Sequence, residues 1–178
     1  MSLKNQPNGN NNVYETERLI LRPMSVDDRE FIFELYNSPS FIKYIGDRNI
    51  KTLSDAENYI RNRFMPQFEK LGFGNYLMLT KDKGEKIGGV GIFEREGLDV
   101  VDIGFSLLER FEGKGYAYEA AQKVKSIGMD EFGLKKISAI TSKDNFSSQK
   151  LIKKLGLEFK KYVTIPDDDE ELMYYETE

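Results

Sequence analysis

Short apolar runs bounded by turn residues predict seven strands along the chain. The runs are separated by stretches in which apolar residues recur every three or four positions, as they do on amphipathic helices. The predicted strands span residues 18–22, 76–80, 87–93, 100–107, 137–141, 159–165 and 172–175.

Four helices are predicted between these strands. Ser25 caps the first helix, which ends before Asn37, and the second extends from Ser54 towards Lys70, with Ser54 and Glu57 at the spacing of a capping box. A long helix opens near residue 117 and ends at Gly133, and the fourth spans 147–155. The resulting order, β-α-α-β-β-β-α-β-α-β-β, indicates a mixed α/β (α+β) sheet with helices on its faces.

Residues 1–12 are rich in Asn and Gly and nearly devoid of apolar groups, so we expect a disordered tail there. Residues 13–178 contain neither a repeat nor a linker and are expected to form a single domain. An acidic loop is predicted at 167–171, between the last two strands. It could attract a cation, although a solvated hairpin tip is the more ordinary interpretation.

The amino-acid composition limits which side chains could act as catalytic groups or metal ligands. The 178 residues include neither cysteine nor histidine, which excludes thiol nucleophiles, Cys-ligated metals and any imidazole base. Acid–base chemistry must therefore use carboxylates, hydroxyls, lysines or water. The net charge of −4 argues against nucleic acid as the main partner. No apolar stretch has the length of a membrane span or a signal peptide, so we expect a cytoplasmic protein.

The segment after the fourth predicted strand combines two glycines with the start of a helix, an arrangement suited to anions. Gly113 and Gly115 permit a turn with positive φ and a close approach of the backbone, and the amides that open a helix point at negative charge. Tyr118 stands where a dinucleotide fingerprint needs a small residue, and the spacing of a P-loop is absent. A tight structural turn is the alternative.

The same segment, Arg110-x-x-Gly113-x-Gly115, followed by Ala117, resembles the pyrophosphate loop of the GNAT superfamily of acyl-CoA N-acyltransferases. On both sides of this segment, other parts of the chain also resemble family motifs, and they come in the family's order. YETERLILRP at 14–23 resembles the opening of the ribosomal-protein (Rim-type) branch, and DIGF at 102–105 resembles the family's fourth strand. NFSS at 145–148 with KLG at 154–156 resembles that branch's second motif. The resemblance implies a GNAT-like, mostly antiparallel seven-stranded sheet.

The resemblance also assigns the co-substrate site, with acetyl-CoA as acyl donor and no metal. Backbone groups of the loop would hold the pyrophosphate, the fourth strand would pair with the pantetheine amides, and Asn145 would reach the pantetheine arm. The residues so assigned are Phe105, Ser106, Leu107, Arg110, Gly113, Lys114, Gly115, Tyr116, Ala117 and Asn145. Asn145 could equally be an ordinary helix cap.

For catalysis, the resemblance places Asp102 where the family often has a glutamate, so Asp102 is the candidate base; a solubility device on an edge strand is the alternative. A backbone N–H at a bulged end of this strand, around 105–107, would stabilise the oxyanion. Many members use a tyrosine seven residues after the motif asparagine as acid, but Ile152 occupies that position. Ser148 is the candidate replacement.

The acceptor implied by the resemblance is a primary amine. It could be a protein N-terminus, which the Rim-type branch favours, or a small amine such as an aminoglycoside or a polyamine. A non-catalytic acyl-CoA-binding or sensing module, and a structural α/β protein without a ligand, are the alternatives. A homodimer is left open.

Overall fold

The computed structural model describes residues 12–166 and 168–178, and within these residues one eight-stranded sheet forms the centre of the fold. The strand order is β1-β2-β3-β4-β5-β6-β8-β7. The strands are β1 (Tyr14–Glu15), β2 (Leu19–Pro23), β3 (Asn75–Thr80), β4 (Lys86–Phe93), β5 (Asp102–Leu107), β6 (Ser138–Thr141), β7 (Glu158–Ile165) and β8 (Asp168–Glu176). All pairs are antiparallel except β5 with β6.

The mixed, mostly antiparallel α/β fold is confirmed, but the strand count is eight rather than seven. The additional strand, β1, has only two residues and pairs with Ile20 and Leu21. A run this short carries no apolar pattern of its own. The last strand is also longer than predicted, because the acidic residues 168–171 belong to β8 rather than to a loop. The prediction for Asp167 lies outside the described residues, as does the predicted tail apart from Asn12.

The helices are α1 (Arg29–Tyr36), α2 (Pro39–Tyr44), α3 (Leu53–Tyr59), α4 (Met65–Leu71), α5 (Tyr116–Asp130) and α6 (Phe146–Lys154). A π-helical segment over Ile60–Phe64 joins α3 to α4, so the one helix expected here is continuous, with a wider turn in its middle. The predicted capping box is wrong by two residues, since Thr52 caps α3 and pairs with Asp55. The short helix α2 was not predicted, because it begins with Pro39 and a proline after a helical stretch usually marks the end of a helix. Proline is, however, favourable at the first position of a helix, which it occupies here.

The helices form two layers with separate apolar cores. On one face of the sheet, α5 and α6 pack against β2 to β6 through buried residues such as Val124 and Ile152. On the other face, α1 to α3 pack around Ile32, Phe41 and Ile60. Among the described residues, no helix is both long and apolar enough to cross a lipid bilayer.

A buried carboxylate fastens α1 to the sheet. Asp28 is fully buried and accepts hydrogen bonds from both terminal nitrogens of Arg22, at 2.8 and 2.9 Å, and from the backbone amide of Ser25 at 2.9 Å. Lys86 of β4 lies 2.7 Å from the other carboxylate oxygen. Burial raises the pKa of Asp28, but these hydrogen bonds outweigh it and the pKa is lowered to about 2.

The two parallel strands diverge almost as soon as they meet. Within the described residues, β5 and β6 share one register pair, Asp102 opposite Ser138. Beyond that pair β5 continues to Leu107, bonded only to β4, and β6 continues to Thr141, bonded only to β8. The two strands therefore enclose a wedge-shaped gap, closed at Asp102 and open towards Leu107.

Candidate functional site

The gap opens next to the glycine loop. After β5 the chain makes a short turn over Glu109–Phe111 and enters α5 through Gly113 and Gly115, whose φ values are +73° and +83°. Gly115 is the N-cap of α5, and its carbonyl accepts the amide of Glu119 at 3.1 Å. The amides before Glu119 therefore have no helical partner. Those of Gly113 to Gly115 also have no backbone partner among the described residues.

The loop is held from the opposite side by Arg18, at the start of β2. The Arg18 Nη1 donates to the carbonyl oxygen of Lys114 at 2.9 Å, between the two glycines. The guanidinium carbon lies 4.3 Å from the centre of the Tyr116 ring. A Cβ at Gly115 would lie 3.3 Å from the Arg18 Nη2. Arg18 thus packs closely against both the last turn of the loop and the first residue of the helix.

Glu119 connects Arg18 to the first turn of α5. Its carboxylate accepts the Arg18 Nε at 2.8 Å, the Arg18 amide at 3.0 Å and the hydroxyl of Thr16. Burial raises the pKa of Glu119, but the hydrogen bonds from Thr16 and Arg18 dominate and lower it. The carboxylate stays ionised and is neutralised by Arg18, so its charge does not oppose an anion at the helix N-terminus.

The edge of β5 that faces the gap carries unpaired backbone groups. Leu108 donates to Ile87 at 2.9 Å, and residues on an antiparallel strand alternate between bonding to the neighbour and facing away. The backbone groups of Phe105 and Leu107 consequently point towards the side of β6, which diverges beyond the single pair of Asp102 with Ser138. Such an edge can pair with the amides of an extended ligand.

The expected bulge at 105–107 is absent from the β4–β5 register, which is regular from Gly88 opposite Leu107 to Phe93 opposite Asp102. The register shift of the described central strands lies instead between β3 and β4, at Met78 and Leu79. The unpaired amides of Phe105 and Leu107 are thus available because the neighbouring strand diverges, and no extra residue in β5 is needed to expose them.

The remaining predicted co-substrate residues lie on β5, on the turn after it and at the start of α5. Phe105 and Leu107 pack their side chains onto the α5 core, while Ala117 and Tyr116 lie in the first turn of α5. The side chain of Arg110 pairs with Glu34 of α1 at 2.7 Å. The Lys114 Nζ lies 5.8 Å from the centre of the Phe111 ring, so this exposed cation stays beside the loop.

Asp102 lies at the closed end of the gap and is almost fully buried. One carboxylate oxygen is paired with the Arg95 Nε, whereas the other, Oδ1, is buried and without a hydrogen-bond partner among the described residues. Burial raises the pKa of Asp102, and the charge of Arg95 opposes this only in part. A buried carboxylate with a raised pKa and one free oxygen is suited to accept a proton.

The Asp102–Arg95 pair faces the layer of α1. Side chains alternate along a strand, and those of Ile103, Phe105 and Leu107 pack onto the α5 core, so Asp102 lies on the opposite face of the sheet. A cleft of about 430 Å³ borders Arg95 and Val101, and it is also lined by Glu94, Glu96 and Asp99. This cleft lies beside Asp102 and could admit a small cationic group.

The second predicted catalytic residue, Ser148, lies apart from Asp102. Because β6 runs away from the junction, α6 begins beyond the open end of the gap, whereas Asp102 is at its closed end. Asn145 caps α6, accepting the amide of Ser148 at 3.2 Å. Ile152 is buried in the α5–α6 core, so no hydroxyl replaces the absent tyrosine at that position.

Sequence analysis missed Arg18, Glu119 and Arg95 as residues that shape the site. Arg18 and Glu119 are separated by 101 positions, and no spacing rule joins them. Arg95 is only seven residues from Asp102, across the β4–β5 connection, so its charge was the one signal that could have suggested the pair. Among the described residues, no group of three His, Cys, Asp or Glu side chains could hold a metal ion.

Comparisons with known proteins agree with this geometry. A family model described as the acetyltransferase (GNAT) domain matches residues 18–158. The chain is 29% identical over 147 residues to the uncharacterised N-acetyltransferase YoaA of Bacillus subtilis, with 82% of each protein covered. It is 27% identical over 142 residues to YnaD of the same organism, also named an uncharacterised N-acetyltransferase, with 80% of each covered.

Solved structures share the fold. An acetyltransferase from Agrobacterium tumefaciens superposes with a TM-score of 0.80 at 22% identity, covering 98% of this chain and 99% of the other. RimL, a ribosomal-protein alpha-N-acetyltransferase solved in complex with coenzyme A, superposes with a TM-score of 0.78 at 14% identity, covering 92% and 96%. At these identities the likeness concerns the fold alone.

Proposed function

The chain belongs to the GNAT acetyltransferase family and is an acyl-CoA-dependent acyltransferase, and we propose that it transfers an acetyl group from acetyl-CoA to a primary amine. The observation that supports this donor is the wedge between β5 and β6, which opens onto the glycine loop at the start of α5. A diphosphate suits the free loop amides, and an extended amide-containing arm suits the unpaired edge of β5.

In this proposal the residues assigned by resemblance keep their roles. Within the backbone from Arg110 to Tyr116, the amides of Phe111 and Glu112 are bonded to Leu108 and Glu109, so those of Gly113 to Tyr116 bind the pyrophosphate. Lys114 adds positive charge, and the backbone at 105–107 pairs with the pantetheine arm. Asn145, while capping α6, also contacts the arm. Acetyl-CoA, when bound, supplies the acetyl group as a thioester. The orphaned amides of the loop and of β5 are the features of this chain that fit such a co-substrate.

Asp102 is the proposed base. An alkyl ammonium has a pKa of about 10.4 and must lose a proton before its nitrogen can attack. The free Oδ1 of Asp102 can take that proton directly or through water, while Arg95 holds the other oxygen. Ser148 is the proposed proton donor to the departing thiolate, since Ile152 has no proton to give. Because Ser148 lies apart from Asp102, one of the two acts on the reacting atoms through water.

The acceptor is proposed to be a primary amine that is cationic before it reacts. Three carboxylates line the cleft beside Asp102, those of Glu94, Glu96 and Asp99, and such a lining favours a protonated amine over an anion. A protein N-terminus is the favoured class, because the opening motif at 14–23 resembles that of the Rim-type branch. An aminoglycoside or a polyamine is the alternative.

A second candidate is a non-catalytic acyl-CoA-binding module. It is favoured by one observation, the burial of Ile152 in the apolar core at the position of the family's usual acid. The two candidates share the co-substrate site and differ in whether the thioester is consumed.

Thiol release from acetyl-CoA with a panel of N-terminal peptides, polyamines and aminoglycosides distinguishes the two candidates. We expect release with at least one amine, and a loss of about 100-fold in kcat in Asp102→Asn with unchanged affinity for acetyl-CoA. Binding of acetyl-CoA without release across the panel would favour the binding module. Full activity of Asp102→Asn would remove that residue from the base role.

A further inference from the structure

Two arginines without a charged partner line one and the same cleft. Of the eight arginines in the sequence, Arg48 and Arg63 form no side-chain hydrogen bond and no salt bridge among the described residues. Both border a cleft of about 260 Å³, here called the arginine cleft, which is also lined by Asn49, Asn58 and Asn62. The other six arginines each pair with a carboxylate: Arg18, Arg22, Arg29, Arg61, Arg95 and Arg110.

The carboxylates closest to these two arginines in the chain are already engaged. One oxygen of Glu57 accepts Arg29 at 3.0 Å and the other accepts Arg61 at 2.8 Å. Asp47 lies 3.5 Å from the Nζ of Lys51. The two arginines of the cleft are therefore left to solvent or to a ligand.

The carboxylate that lines the arginine cleft, that of Asp55, serves the start of α3. Its Oδ2 accepts the backbone amides of Lys51 and Thr52, both at 2.9 Å. These hydrogen bonds, the one from Lys51 above all, lower the pKa of Asp55, so it is ionised. With two cations and one anion, the lining carries one net positive charge, in a chain whose net charge is −4.

Uncommon backbone conformations flank the arginine cleft on both sides. Asn49 has a φ of +57°, a region that residues other than glycine seldom enter. Asn62 and Arg63 belong to the π-helical segment Ile60–Phe64. Both kinds of conformation are frequent at functional sites, and here both contribute to the lining of one cleft.

The arginine cleft lies on the same side of the sheet as the proposed base. Tyr59, in its lining, packs edge-on against Tyr36 of α1, with 5.4 Å between the ring centres. Tyr36 belongs to the helical layer opposite α5, and Asp102 lies on the face that this layer covers.

We propose that the arginine cleft binds an acidic group, a carboxylate or a phosphate, through Arg48 and Arg63. A guanidinium presents paired N–H donors that match the oxygens of either group, and the asparagine side chains add neutral donors. Two sources supply such a group, the amine acceptor itself or a separate anion.

Amide NMR spectra of the free protein, titrated in chloride buffer with citrate and separately with inorganic phosphate, test the site. We expect saturable shifts at Asn49 and Arg63 that weaken with added salt. Shifts at Gly113 and Gly115 report separately on anions in the glycine loop, so the result does not depend on the proposed use of acetyl-CoA. Arg48→Met and Arg63→Met should each raise the Kd for citrate about tenfold, as for the loss of a charge-assisted contact.

The matched control is Arg61→Met, which removes an equally exposed arginine that is already bonded to Glu57. It should leave the Kd for citrate unchanged, and all three variants should keep the melting temperature of the unmodified protein. Equal weakening in Arg61→Met would indicate a general effect of charge and overturn the assignment. So would the absence of shifts at the cleft in the unmodified protein.

Initial rates with acceptor amines that differ only by a carboxylate distinguish the two sources. For an acidic group on the acceptor, the carboxylate should lower the KM about tenfold in the unmodified protein but not in Arg48→Met. For a separate anion, the carboxylate leaves the KM unchanged while citrate still binds at the cleft.

Discussion

Replacing Arg18 with methionine should loosen the glycine loop while leaving the sheet intact. Methionine keeps the apolar stem but cannot donate to the carbonyl of Lys114, pair with Glu119 or place a cation over Tyr116. The backbone amide of residue 18 still bonds to Glu119, so the carboxylate keeps part of its support. The variant therefore removes the interactions that act on the loop.

The free energy that Arg18 contributes can be estimated from the exposure of the groups it contacts. The Arg18 side chain is 41% exposed and that of Glu119 19%, so the ion pair is partly screened and contributes about 0.5–1 kcal/mol. A charged donor to a carbonyl contributes about 1.5 kcal/mol at the low end, and an exposed cation over a ring about 0.5–1 kcal/mol. Since adjacent interactions are not additive, we take about 2 kcal/mol for the three interactions of Arg18 together. The contacts with Lys114 and Tyr116 make up the larger part of this free energy.

The expected outcome is a rise of about tenfold in both the Kd and the KM for acetyl-CoA, with kcat changed less than threefold. A factor of ten corresponds to about 1.4 kcal/mol, which is the share assigned to the loop contacts. Arg18→Lys should recover part of the affinity, because it keeps the charge but not the planar fork. Isothermal titration with coenzyme A and initial rates with the accepted amine measure these quantities.

The matched control is Arg29→Met, which removes another partly exposed ion pair, between Arg29 and Glu57 at 3.0 Å, in the α1–α3 layer. It should leave the Kd for coenzyme A unchanged. The reasoning would be refuted if Arg18→Met lowered the melting temperature and bound coenzyme A as tightly as the unmodified protein. Arg18 would then stabilise the fold without positioning the loop.

Three further predictions concern the loop, the fold and the proton donor. Gly115→Ala places a side chain at φ +83° and should cost about 1–2 kcal/mol while weakening coenzyme A binding in titration, whereas Gly133→Ala, at φ +68° with open space around the Cβ, should destabilise similarly without affecting binding. The ionised Asp28 stabilises the fold fully above its ordinary pKa of 3.8, and this contribution, about 2 kcal/mol, should be lost as the pH falls through about 2. Urea unfolding of the unmodified protein and of Asp28→Asn across this pH range measures the contribution, and a constant difference in stability between the two would contradict it. Ser148→Ala should lower kcat more than it raises the Kd for acetyl-CoA, and unchanged turnover would remove its role as proton donor.

Local signals in the sequence were sufficient to predict the conformation of the glycine loop. Gly113 and Gly115 were predicted as a turn of positive φ, and both adopt it, because only glycine enters that region without a steric penalty. The start of α5 follows from the same two positions. The predicted apolar face of this helix is confirmed at Val124 and its neighbours, which pack onto the sheet.

Contacts between distant parts of the chain could not be predicted in this way. The contact of Arg18 with Glu119 depends on β2 lying beneath the start of α5, which is a property of the folded sheet. The gap depends on where the two parallel strands separate, and no pattern in 138–141 encodes that point. The expectation of a bulge at 105–107 was wrong, since the pairing of β5 with β4 is regular there. The divergence of β6 exposes the amides that a bulge was expected to expose.

The central claim is that the loop amides and the gap between β5 and β6 form one site for an acyl-CoA. A crystal structure of the protein with coenzyme A tests this most directly. The account predicts the diphosphate against the amides of Gly113 to Tyr116, and the pantetheine arm along the unpaired edge of β5, in the gap between β5 and β6. Coenzyme A bound elsewhere, with the gap closed by side chains, would contradict it.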